Sequence, residues 1–456
     1  MRLLAFRKRL ITYVKKRRKW MKKLKKITSL LLTLAMVLSL LSGCTNAAST
    51  SSQGTDTAGG KEESSAAVSS ESKGDTYKIA VATITEGEIW EVQKSYYENV
   101  VGPALNMEFM FSEKLADANG LVDFMERAYA AGCVGLINFV TSNDAISQGA
   151  RKAEEWGMWF VTQNSALNEE VADLIYNLGH CGASAQGMGV AYSEAFDNLL
   201  SDGENHSVFI FSGAAVGGAS GQGAASHYYS VEGILQAMQD KYDLTYEKSI
   251  DEIINNQNPG EVATGNSDIK IYIYPGLDLA AATTAAQTQF QTGDYDIFAA
   301  VFSYSAFTNA LSDVEVSLNK NIKIVGTASI EAQTATGFGT IDSQDDTMLN
   351  AAIINPLNNA NGICSIILYN ALTGYADAMK DNGKAVLFKV EPWACLNAET
   401  YTGISQLDSS PESYVLNADD LQALCVENDG SVTFQTIEAK LEALADVNAI
   451  IAEKLK

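Results

Sequence analysis

The sequence predicts an α/β protein of two Rossmann-like lobes, each with a parallel sheet, joined by a three-strand hinge. Two observations carry the prediction. Short continuous apolar runs alternate with amphipathic stretches of helical spacing, which calls for strands covered on both faces. The series also occurs twice, with too many residues for one sheet around one core, and three passages lead between the sets.

The first set opens with the strand "YKIAVATI" (77–84), followed by helical spacing in "EIWEVQKSYYENVVGPAL". "MEFMF" is a second strand, and a helix is predicted from about Asn119 to Ala131. "VGLINF", "NDAISQGARKAEEW" and "MWFVTQN" read as strand, helix and strand. The second set has strands in "SVFIFS", "IKIYIYPG", "YDIFAAVFS" and "IKIVGTAS", with helices near Tyr229–Asp240, Ala280–Gln291 and Ala306–Leu318. The three passages are "LIYNLGHCGASAQGMGVAYSEAFDNLL", "AAIINPLNNANGICSIILYNALTG" and "KAVLFKVEPWACL". The expected N-terminal lobe is therefore 76–178 plus 356–388, and the C-terminal lobe 179–355 plus 389–400. Residues 401–456 form an extension. Its "TIEAKLEALADVNAIIAEKL" repeats apolar residues at spacings of three and four, so one face is expected to pack on the body.

The N-terminus has a basic start, an apolar run from Ile27 to Leu41 and small residues before Cys44. That is the layout of a secretory signal over 1–43, with an apolar run short for a membrane span. Leu41-Ser42-Gly43-Cys44 is similar to the lipobox of bacterial lipoproteins, which implies lipidation (palmitate) at Cys44 and a cell-membrane location on the extracytoplasmic face. Residues 44–75 are almost devoid of large apolar side chains and read as a disordered tether.

All 13 basic residues up to Gly43 would leave with the signal, so 19 basic residues face 55 acidic ones, a net of −36. Such a surface repels phosphate backbones and excludes nucleic acid as a partner. Arg127 and Arg151 are then the only arginines, which ranks anionic ligands last. Cys133, Cys181, Cys364, Cys395 and Cys425 are scattered without a C-x-x-C pair, so no metal site is supported.

In their order, the elements from Tyr77 to Leu396 resemble the type I periplasmic solute-binding proteins, which share their fold with the lactose-repressor ligand domain. Ile89-Trp90 looks like the family's apolar–aromatic pair after the first strand. Gly233-Ile234-Leu235 is similar to its fifth-helix pattern, and Asn355-Pro356 stands where Gln-Pro is usual. Three charged groups that often grip sugars in the family are replaced by Ser230, Ala328 and Tyr304-Ser305.

Ligands of open α/β sheets bind beyond the carboxyl ends of the strands. That rule selects Glu88, Trp90, Asn138, Thr141, Asn143, Asp144, Gln163 and Asn164 from the first lobe. From the second it selects Gly213, His227, Tyr228, Asp278, Ser303, Tyr304, Thr327 and Ser329, with Asn355 at a crossover. The types suit a neutral, hydroxyl-rich or heterocyclic ligand. Trp90, Asp144 and Asn355 have structural alternatives, a core or rim tryptophan, a helix cap and a hinge residue. The glycine-rich "SGAAVGGASGQGAASHYY" follows a strand, but contains neither G-x-G-x-x-G nor G-x-x-x-x-G-K-[ST], so it reads as a cleft wall rather than a nucleotide cradle.

His180, His206 and His227 accompany no H-x-x-x-H, G-x-S-x-G or paired-cysteine pattern, so no catalytic residue, metal or cofactor is expected. The resemblance implies a monomer that closes on a ligand, a sugar foremost, and delivers it to an ABC permease. A subunit presenting its ligand to a sensor kinase or chemoreceptor, and a nucleoside-binding lipoprotein, are alternatives. An NAD-dependent enzyme ranks third.

Overall fold

A computed structural model describes residues 76–164, 166–219, 224–339, 349–407, 411 and 413–455. The expected signal (1–43), the lipidation site Cys44, the tether (44–75) and Gly221 and Gly223 of the glycine-rich loop lie outside the described residues.

In chain order, the first lobe begins β1 (Tyr77–Ala82), α1 (Glu88–Tyr96), β2 (Met107–Phe111), α2 (Ala118–Ala130), β3 (Gly135–Asn138), α3 (Asn143–Trp156), β4 (Trp159–Thr162) and β5 (Asn177–Ala183). The helix α1 continues through a π-helical turn at Tyr97–Val101 and a short helix at Gly102–Leu105. After α4 (Ala185–Leu199) come β6 (Val208–Gly213), α5 (Ala225–Tyr242), β7 (Gly260–Val262), β8 (Ile271–Pro275), α6 (Leu279–Phe290), β9 (Ile297–Ala300), α7 (Thr308–Leu318), β10 (Lys323–Ala328), α8 (Ala332–Gly339) and β11 (Ala351–Ile354). The chain then returns as α9 (Leu357–Asn370), β12 (Val386–Val390) and β13 (Trp393–Cys395).

Two sheets result, ordered β12-β5-β4-β3-β1-β2 and β13-β11-β10-β9-β6-β8-β7. The first is parallel throughout. The second is parallel except at its edges, where β13 and β7 pair antiparallel. Register aligns the carboxyl ends: Ala82, Asn138 and Thr162 stand level in the first sheet, as do Phe211, Ala300, Gly326 and Ala352 in the second. The loops expected to hold a ligand therefore leave each sheet along one edge.

The chain crosses between the sheets after Ala183, after Ile354 and after Val390. The first crossing falls later than the expected 178/179 boundary, because the whole of β5 pairs with β4 and β12. The third falls later than 388/389 for the same reason, since β12 runs to Val390 in the first sheet.

Alternating side chains feed opposite faces of each strand. Ala80 and Ala82 join the core shared with α2 and α3, while Ile79 and Val81 face the other way. Val208 and Ile210 pack with α4 and α5, while Phe209 and Phe211 join Phe290, Phe298 and Phe307. The helices α4 and α5 touch backbone to backbone: a Cβ on Gly233 would lie 2.1 Å from the Gly189 carbonyl oxygen.

The extension forms α10 (Ala398–Leu407), α11 (Ala418–Ala423), α12 (Phe434–Ala443) and α13 (Val447–Lys454). Asp420 binds both Lys440 (2.9 Å) and Lys454 (2.8 Å), tying three of these helices together. On the first lobe, the Tyr96 hydroxyl donates to the Leu416 carbonyl (2.7 Å), and Asn370 exchanges hydrogen bonds with Leu424 and Val426. On the second, the Trp393 indole N–H donates to the Leu444 carbonyl (2.9 Å) and Tyr401 donates to the Glu331 carbonyl (2.9 Å). One apolar cluster runs from Ile79 and Ile137 through Leu421 and Ile437 to Trp393, Phe298 and Phe209.

Among the described residues no helix is long and apolar enough to cross a membrane, and the five cysteines are free and buried.

Candidate ligand site

The carboxyl ends of β3, β4 and β5 meet the second crossing around a cavity of about 190 Å³. Thr141, Gln163, Asn164 and Asn355 line it, with Gly182, Ala183, Pro356, Leu357, Ala360 and Val390. Four of the residues expected from sequence thus come together. Gln163 is held in place, since its Nε2 donates to Asn361 Oδ1 (2.9 Å). Asn361 Nδ2 in turn donates to Gln93 Oε1 and Asn358 Oδ1, each at 3.3 Å. Asn355 Oδ1 is buried and has no partner among the described residues. A buried acceptor in that state calls for a donor, from a water or a ligand.

Across the hinge, Gly213 ends β6 at φ 55°, a backbone region that favours glycine, and turns the chain towards His227. The Ala214 N–H donates to His227 Nδ1 (3.0 Å), which leaves the proton on Nε2. Burial lowers this imidazole to about 4, so it is neutral near pH 7 and offers an N–H rather than a charge. Its ring lies 5.7 Å from that of Phe302, which follows β9 and is 41% exposed. Ser303 beside it sits at φ 51°. Glu88 is exposed on the first turn of α1, and its Oε2 accepts from the Ala332 N–H of the second lobe (3.4 Å). Ser329 lines a further cavity together with Asn355.

Other expected residues are used in packing or capping. Trp90 is buried, with Phe111 and Phe139 edge-on at 5.6 and 6.0 Å. Asn138 is buried and closes its own turn, accepting from the Val140 N–H (2.9 Å) and donating to the Val140 carbonyl (3.0 Å). Tyr228 is buried and donates to Asp251 (2.8 Å), pinning α5 to the short helix Ile250–Ile254. Tyr304 is buried against the backbone of Gly326, where a Cβ would lie 2.5 Å from its own. Thr327 donates to the Tyr192 hydroxyl (2.9 Å), which itself donates to the Ala300 carbonyl (2.7 Å). Asp278 caps α6 through the Ala281 N–H (3.0 Å). The cap of α3 is Ser142, not Asp144; Asp144 and Asn143 are exposed, and Asp144 accepts from Gln148 (2.9 Å).

Sequence reasoning missed Gln93, Asn358, Asn359, Asn361 and Phe302. A signal for the asparagines was present. "NPLNNANG" places three of them, Asn358, Asn359 and Asn361, at the start of an otherwise apolar helix, where asparagine is a poor helix former. No His/Cys/Asp/Glu group able to hold a metal occurs among the described residues.

No family model and no curated protein matches the chain. Solved structures do. The arabinose-binding protein AraP from Geobacillus stearothermophilus is 14% identical with a TM-score of 0.52, covering 72% of this chain and 98% of that one. An ABC-transporter solute-binding protein from Bacillus halodurans C-125 with bound myo-inositol is 11% identical with a TM-score of 0.49, covering 73% and 98%. A carbohydrate transporter from Acidothermus cellulolyticus 11B in complex with myo-inositol is 13% identical with a TM-score of 0.47, covering 73% and 98%. The likeness to AraP, together with the sheet orders and the three crossings, gives the class: the chain has the type I periplasmic binding-protein fold.

Proposed function

We propose that this chain is a lipid-anchored, extracytoplasmic solute-binding protein that captures a small neutral, hydroxyl-rich ligand, a sugar foremost, for an ABC importer. The observation that carries the reading is the set Thr141, Gln163, Asn164 and Asn355 around one cavity where the lobes join. Amides and hydroxyls both donate and accept, as vicinal hydroxyls do, and none of these four carries charge. His227 and Phe302 extend the same chemistry on the second lobe with a neutral donor and an aromatic face for C–H surfaces. The name of AraP, a protein of like fold, points to arabinose as a first probe. The reading assigns no reaction to the chain.

A thermal-shift screen of the tether-free body against pentoses, hexoses, myo-inositol, nucleosides and organic acids tests it. A ligand held by the folded state alone raises the melting temperature by mass action. At least one sugar or cyclitol should raise Tm by several degrees; stabilisation by organic acids alone would overturn the assignment. For the anchor, Cys44→Ser should move the protein from the membrane fraction to the soluble one, and retention on the membrane counts against lipidation. Permease and ATPase genes beside its own gene would support import, and a sensor-kinase gene there instead would favour the sensing alternative.

A further inference from the structure

Asn355, Pro356 and Leu357 line a second cavity as well as the one above. This one lies beyond the carboxyl ends of β1 and β10, with Ile89 of α1 on one side and Ser329 and Ile330 on the other. Part of its wall does not come from either lobe: Ile404, Leu407 and Val415 belong to the extension. Its volume is about 30 Å³. A water-sized group needs roughly 10–15 Å³, so one small substituent enters and a sugar ring does not. Asn355 and Asn359 are among its lining residues, and each has one buried amide atom without a partner among the described residues, the acceptor Oδ1 of Asn355 and the donor Nδ2 of Asn359. Asn359 is 2% exposed, so water does not reach it freely. An orphaned acceptor and an orphaned donor set among hydrocarbon match a hydroxyl carried next to an alkyl group.

We propose that this cavity is a ligand subsite for the methyl-bearing carbinol end of a deoxy sugar, and that the C-terminal extension completes it. The proposal rests on the sugar-capture reading and narrows its substrate class. The methyl group packs on Leu407, Ile404 and Ile330, while neighbouring ligand oxygens meet Asn355 and Asn359. A hydroxymethyl group in place of the methyl would press a hydroxyl onto Leu407, Ile404 and Ile330, which offer it no partner, with Asn355 and Asn359 already taken by the neighbouring ligand oxygens.

Two sugar pairs differ only in that group: L-fucose against L-galactose, and L-rhamnose against L-mannose. Thermal shift and titration calorimetry on the full chain should show the methyl member of at least one pair binding about tenfold tighter than its partner. Equal or tighter binding of the hydroxymethyl member in both pairs overturns the proposal. Binding of arabinose or myo-inositol with none of the four probes overturns it too, while sugar capture stands. Stabilisation by no sugar at all removes both. Leu407→Ala, checked for fold by circular dichroism, enlarges the cavity and should narrow the methyl preference. Should that variant not fold, Ile330→Thr on the opposite wall gives the same readout. An unchanged preference in a folded variant shows that this cavity does not take the methyl group and overturns the proposal.

Discussion

His180, buried, and His227, largely buried, are held as neutral rings, and that choice sets how the protein responds to acid. Burial lowers each to about 4 from an ordinary 6.5. The unfolded chain therefore takes up protons first as pH falls from 6.5 towards 4, and each ring withdraws about 3 kcal/mol of stability over that interval. His206 works in the opposite direction: hydrogen bonds to Asp296 (2.5 Å) and Asp202 (2.9 Å) raise its value. Its contribution is complete below pH 6.5 and fades as pH climbs through its folded value. Replacing His227 with Asn keeps an acceptor for the Ala214 N–H and removes the titration. Urea unfolding at pH 7 and pH 4.5 should show the variant losing about 2 kcal/mol less than the parent between the two. Equal losses would show that His227 is not held neutral. The residue scale is also where sequence reading was weakest. Asn138 at the end of β3 and Tyr228 on α5 are turned inward, where neighbouring backbone and Asp251 satisfy them.

At the scale of elements the contact between α4 and α5 is the least forgiving. Gly189 and Gly233 let two backbones meet, and the Gly189 carbonyl occupies the place of a Cβ on Gly233. Gly233→Ala must push the helices apart and should cost at least about 2–4 kcal/mol, seen as a large fall in Tm. A variant melting within a degree of the parent would show that the helices can separate cheaply. The sequence did mark this glycine, as part of a helix pattern, without revealing that another helix was the reason. The same division holds along the chain. "NDAISQGARKAEEW" is the helix α3 residue for residue, and "MEFMF" is β2. The short edge strand β7 and the helix α8 carry too few apolar residues to show a period. The final extended piece was legible, but its division into β12 and β13 on different sheets was not, because pairing partners lie far away in sequence.

For the whole molecule, two lobes and a hinge could be read from repetition and crossings alone. The seat of the extension could not, since amphipathic spacing says that a face is buried and not against what. The structure seats it on both lobes, through Tyr96 and Asn370 on one and Trp393 and Glu331 on the other. Two-lobed proteins often melt in steps, because each lobe owns its core. Here the hydrocarbon that buries Ile79 is continuous with the hydrocarbon that buries Phe298, by way of the extension. Loss of this shared packing in one lobe uncovers apolar surface of the other, although each lobe also keeps a cluster of its own. Scanning calorimetry of the body should therefore give a single endotherm whose calorimetric and van't Hoff enthalpies agree, whereas two resolved endotherms would show the lobes to be thermodynamically separate. The tail thus makes one cooperative unit of what the repetition alone suggests are two.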